Sequence, residues 1–207
     1  MSRHAELERR HHQTALSIAL DEYAETLPAP TWGPVRFTIP RDLGTGAPFY
    51  LRRCLEADLL ESVRLAVHEA AHAIVAHDVG IRVSAVRLVA DFEADRPRLR
   101  GGETLVYGRA LLDDVASVVT TAAGRAAEKV FGVAYQGEAL GRQDARDLRA
   151  ILAPEHWDQA VRLGERLVRT RLPEVRAVAA ALLRAGELDA DGLVRAMATG
   201  MAAWVGR

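Results

Sequence analysis

His68-Glu69-Ala70-Ala71-His72 lies within the stretch Glu56 to Asp78. There Leu59, Leu60, Val63, Val67, Ala70, Ala71, Ile74 and Val75 recur at helical spacing, and Gly80 stands just past the end. A spacing of four residues puts both imidazoles on one helix face, one turn apart, so that two ring nitrogens can bind one zinc ion while Glu69 points at the same site. A carboxylate there can take a proton from water and pass it to a leaving amine. The pattern is that of metal-assisted hydrolysis, with His68 and His72 as ligands and Glu69 as general base. So short a pattern also arises by chance, and its place inside a long amphipathic helix argues against that.

Working outward, Glu6 to Leu27 shows a weakly amphipathic helical pattern, expected to form an arm. Pro28, Pro30, Gly33, Pro34, Pro40, Gly44, Gly46 and Pro48 then predict a strap that is mostly loop. Val83 to Val89 and Glu103 to Tyr107 are β-prone runs joined by a charged stretch and Gly101-Gly102, the pattern of a hairpin with a long connection. Leu111 to Phe131 returns to helical spacing with Gly132 as its stop, and Gly137 to Arg142 reads as loop. Further helices are expected from Asp144 to just before Pro154, from Glu155 to Arg171, from Pro173 to Arg184 and from Asp191 onward. The fold class expected is mainly α with a small β hairpin or sheet (α+β), organised as residues 1–55, arm and strap, and residues 56–207, the domain that carries the site.

The 207 residues carry a net charge of -1, which leaves no electrostatic case for gripping nucleic acid. The longest uncharged runs, Val115 to Gly124 and Ala196 to Gly206, are about half of the roughly 20 residues that a spanning helix needs, so no membrane span is expected. Cys54 is the one cysteine and the charged start lacks the apolar core of a signal peptide, so a reducing, cytoplasmic setting is expected.

A catalytic zinc needs a third protein ligand and an open position. His77 lies about half a turn round the helix from His68 and points away. His4, His11 and His12 fall on the arm, and His156 sits beside Trp157, positions that suit surface or packing roles. The carboxylates left are Asp144, at a loop-to-helix junction where an N-cap is the ordinary role, Asp147 one turn later, and Glu128 on the Leu111 to Phe131 helix.

Three stretches, taken in order, resemble the zinc peptidase domain of FtsH-like AAA proteases. His68 to Val75, HEAAHAIV, is similar to that family's HEAGHAIV, and Ala123 to Gly132, AGRAAEKVFG, to its AGRAAEE helix ending in FG. Gly141 to Leu148 falls where the family has a Gly-rich loop and an Asp that completes the zinc site. The hairpin falls where the family has its substrate-binding strand pair, and Leu182 to Leu193 resembles its last helices; the likeness covers about residues 60–198. It implies a zincin-type HExxH helix in an FtsH-peptidase-like helical bundle, with zinc held by His68, His72 and Asp144. Asp147 is the other candidate, because it precedes an aliphatic residue, Leu148, as the family's Asp does. Ala71 replaces a family glycine, and the chain has neither a GxxxxGK[ST] loop nor a membrane helix.

The function expected is therefore a zinc metallopeptidase, independent of ATP as a single chain. It would act on unfolded or loop segments of a polypeptide substrate bound extended along the 83–107 hairpin, and a separate partner or motor protein could supply unfolding. The alternative is a non-catalytic partner-binding module that keeps the peptidase fold; the intact Glu69 favours the enzyme. A purely structural zinc is disfavoured because such sites are usually closed by four ligands and rich in cysteine.

Overall fold

Asp58 opens the helix on which the rest of the molecule is assembled. Its carboxylate accepts the Glu61 amide at 3.0 Å, and its extended backbone (φ −139°) breaks the periodic stretch into two helices, Phe49–Ala57 (α2) and Leu59–Asp78 (α3). The sequence reading ran the helix on from Glu56 because apolar spacing continues through the break, and it did not anticipate α2. The computed structural model describes residues 3–27, 35, 37–91, 98–107, 114–133 and 142–205. The segments expected as loop at Pro28 to Pro34 and Gly137 to Gly141 lie outside them.

Every residue of α3 from Leu65 to Ala76 is buried, so this helix must be covered on all sides. The sheet and two helices cover it: Asp114–Val130 (α4) and Leu172–Ala185 (α7), with Trp157–Thr170 (α6) behind α4. Alanines make the close approach possible. Ala66, Ala70, Ala73 and Ala76 of α3 and Ala122, Ala123, Ala126 and Ala127 of α4 are all fully buried. At the α4–α6 contact a Cβ on Gly164 would stand 3.0 Å from that of Ala126. Arg3–Thr26 (α1), Arg142–Ile151 (α5) and Ala190–Val205 (α8) complete the α-helices among the described residues.

The fold is thus α+β, mainly helical with one small antiparallel sheet. Arg82–Asp91 (β1) is central, Arg98–Tyr107 (β2) is one edge, and Glu187–Asp189 (β3) is the other. Val86 pairs with Thr104 and with Leu188, and irregularities between Val83 and Ala85 and between Val89 and Ala90 bracket the regular part of β1. Sequence reading left residues 185–190 between two helices and did not anticipate a strand there. Glu187–Asp189 form β3, because Gly186 ends α7 with φ +78° and returns the chain to β1, where its carbonyl accepts from the Leu88 amide at 2.8 Å.

Leu16 and Leu20 of α1 and Leu51, Cys54 and Leu55 of α2 belong to the same buried cluster as α3. The strap crosses from Phe37, edge-on to Phe131 at 6.1 Å, to Gly44 and Gly46, whose amides donate to the carbonyls of Leu183 and Arg184. Among the described residues no helix is long and apolar enough to cross a membrane.

Candidate metal centre

Three donor side chains meet where α3 passes between β2 and α4. His68 and His72 come from adjacent turns of α3, and Asp144 comes from the first turn of α5. The two Nε2 atoms stand 2.9 Å apart, and Asp144 Oδ2 lies 3.1 Å from that of His68 and 3.5 Å from that of His72. These are the only three side chains grouped in this way among the described residues.

The tautomers follow from what lies behind each ring. His72 Nδ1 stands 2.7 Å from the Thr120 carbonyl, and His68 Nδ1 stands 3.0 Å from Glu128 Oε1. A carbonyl and a carboxylate can only accept, so each ring donates from Nδ1 and turns Nε2 towards its neighbours. Asp144 Oδ2 is buried and accepts no hydrogen bond even with both rings beside it. Three donor atoms thus crowd within 4.8 Å of one another, the two Nε2 atoms facing each other at 2.9 Å, and a cation among them would satisfy all three. Their separations bracket the roughly 3.3 Å that tetrahedral bonds of about 2.0–2.1 Å impose. The donor set fits a metal ion.

The local field agrees. Burial opposes a charge on His68, yet the carboxylates of Asp144 and Glu128 override it and raise its pKa to about 10. Burial likewise opposes ionising Asp144, but the two imidazoles hold its carboxyl well below the usual carboxylate range. Glu128, itself buried, is held ionised by His68, by Arg64 at 2.5 Å and by Arg125 at 2.9 Å. Positive charge is therefore drawn to the point where the donors meet.

Two glycines make the room. A Cβ on Gly124 would come within 2.5 Å of Nε2 of both histidines. One on Gly102 would stand 2.3 Å from Glu69 Cγ. Glu69, buried, receives the Thr104 hydroxyl on Oε2 at 2.8 Å. A cleft of about 260 Å³ opens beside these groups, walled by residues 102–106 of β2, by Ser117, Thr120 and Thr121 of α4, and by Gln143, Asp144 and Asp147 of α5.

Of the candidates read from the sequence, His68, Glu69, His72 and Asp144 meet here. Asp147 lies on the cleft wall, where Gln143 donates to its Oδ1 at 3.0 Å, and it is outside the donor cluster. Glu128 stands behind His68 on the side away from the shared point. His77 is half exposed at the far end of α3 beside Asp78, and His12 pairs with Asp114 at 2.9 Å. His156 sits 3.4 Å from Ser17 in the seam between α1 and α6. Sequence reasoning missed Thr104, Thr120, Gly102 and Gly124. Only Gly124 carried a signal, as a glycine inside an otherwise alanine-rich helix. No protein-family model matches the chain, and no curated protein matches it.

Proposed function

We propose that the chain is a zinc metallopeptidase that hydrolyses peptide bonds in unfolded or loop segments, without ATP as a single chain. The observation that carries this reading is the convergence of two Nε2 atoms and one carboxylate oxygen on a shared point beside Glu69, at the floor of an open cleft. Two imidazoles and one carboxylate are a ligand set of catalytic zinc, which leaves a position for water. When bound, zinc supplies Lewis acidity, polarising a peptide carbonyl and lowering the pKa of water towards neutrality. His68, His72 and Asp144 would hold it, while the Thr120 carbonyl and Glu128 fix the two imidazole planes.

Glu69 moves the proton. Thr104 occupies Oε2, which leaves Oε1 to take a proton from the attacking water and return it to the departing amine nitrogen. Substrate lies extended along β2, which among the described residues is an edge strand of the sheet and whose residues 102–106 line the cleft. Main-chain hydrogen bonds to that edge place the scissile carbonyl with little demand on side-chain sequence, so specificity is loose. Pulling a folded domain apart costs about 5–15 kcal/mol, and the sequence has no P-loop through which to couple that cost to ATP. Substrates are therefore chains already open, or chains opened by a separate motor. We place this work in the cytoplasm on the strength of the single, buried Cys54.

The test is cleavage of a denatured casein-type substrate by protein reconstituted with zinc. Cleavage should disappear with chelator, return with zinc, ignore added ATP and spare a stably folded protein with no exposed segment. Zinc held by a protein that cleaves none of a broad set of unfolded chains and peptide libraries would favour the partner-binding module instead.

A further inference from the structure

Thr104 and Gly102 lie two residues apart on β2 and so share a face, the one turned to α3. At Gly102 there is no space for a Cβ because the Glu69 side chain fills it. At Thr104 the hydroxyl stands 2.8 Å from Glu69 Oε2 and 3.2 Å from the Glu69 carbonyl. A hydroxyl has one proton to give, and the shorter, charge-assisted contact takes it. The strand thus offers a gap and then a donor, one pleat apart, to a single carboxylate. Register fixes the pair: the cross-strand partners are Leu88 and Val86, both buried, so slipping β2 by one residue would turn both positions away from α3.

We propose that Thr104 is a positioning residue for Glu69, placed on the strand that receives the substrate; the proposal rests on the peptidase reading. By holding Oε2, Thr104 fixes the rotation of the carboxylate so that Oε1 faces the water to be deprotonated. Because the same stretch of β2 walls the cleft, one segment of backbone sets the register of both substrate and base. The base is thereby aligned with whichever peptide bond the strand presents, which suits an enzyme that reads main chain rather than side chains.

Thr104→Val keeps the β-branched shape and removes the donor, whereas Thr104→Ser keeps the donor. In zinc-loaded protein, Thr104→Val should lower kcat roughly 10- to 100-fold, the scale of one hydrogen bond to a charged group, with KM and zinc content unchanged. Thr104→Ser should recover most of that loss. In parallel, NMR of ¹³C-labelled Glu69 in the metal-free protein should show its carboxylate resonance moved by Thr104→Val and restored by Thr104→Ser. Wild-type kcat in Thr104→Val, a loss in Thr104→Ser as large as in Thr104→Val, or a Glu69 resonance unmoved by Thr104→Val would each overturn the proposal. If wild-type protein cleaves nothing, the peptidase reading fails, and the Glu69 resonance still decides whether Thr104 holds the carboxylate.

Discussion

Glu69→Gln should retain stoichiometric zinc and lose roughly 10²- to 10⁴-fold in kcat, the contribution of a well-placed general base. The amide has nearly the same shape and still accepts from the Thr104 hydroxyl through its oxygen, so the wall between α3 and β2 survives. What disappears is a group able to take a proton near neutral pH. Glu69 lies outside the donor cluster of His68, His72 and Asp144, and so metal content should not follow activity down. Side-by-side zinc analysis and turnover of an unfolded substrate read both quantities. Full activity in the variant would remove Glu69 from the chemistry. Loss of zinc along with activity would mean that the carboxylate helps hold the metal.

Gly124→Ala carries the second large effect, and local propensity and packing disagree about its sign. In a helix interior alanine is favoured over glycine by about 1 kcal/mol, so propensity alone predicts a more stable protein. Packing predicts a damaged site, since the new Cβ would stand 2.5 Å from Nε2 of both His68 and His72. The rings cannot give way and keep their Nδ1 bonds to Glu128 and Thr120, because those bonds fix their planes. Zinc affinity should fall by roughly 10- to 100-fold or more, the scale seen when the support of a metal ligand is displaced. A competition titration against a chelator measures this, with urea unfolding to show that the fold persists. Unchanged affinity would mean that α4 does not press on the imidazoles as described.

The helix that carries the histidines was legible because its periodicity and its motif agree over many residues. The hairpin and the later helices were legible for the same reason. Asp58 shows where such reading stops: apolar spacing runs through it, and only its capping bond to Glu61 marks the boundary between α2 and α3. β3 spans three residues and exists only through pairing with β1, a contact some hundred positions away in sequence that no local pattern encodes. Glu128 was a reasonable ligand candidate by residue type. Its place depends on which side of the His68 ring it meets, and that is set by how α3 and α4 pack. Thr104 looked like an ordinary strand residue, and Gly102 like part of the hairpin connection, until β2 was laid against Glu69. Fold class follows from periodicity, whereas the orientation of donors around a point follows from packing between elements.

One metal ion held by His68, His72 and Asp144 is what the proposed chemistry requires. Elemental analysis of protein purified without chelator, and again after zinc reconstitution, tests it most directly, run on wild type, Asp144→Asn and Asp147→Asn. Wild type should carry about one zinc per chain, Asp147→Asn should retain it, and Asp144→Asn should lose it or hold it far more weakly, since of the two aspartates only Asp144 brings an oxygen to the Nε2 atoms of the histidines. Wild-type protein that holds no stoichiometric metal before or after reconstitution, or equal losses in the two aspartate variants, would contradict it.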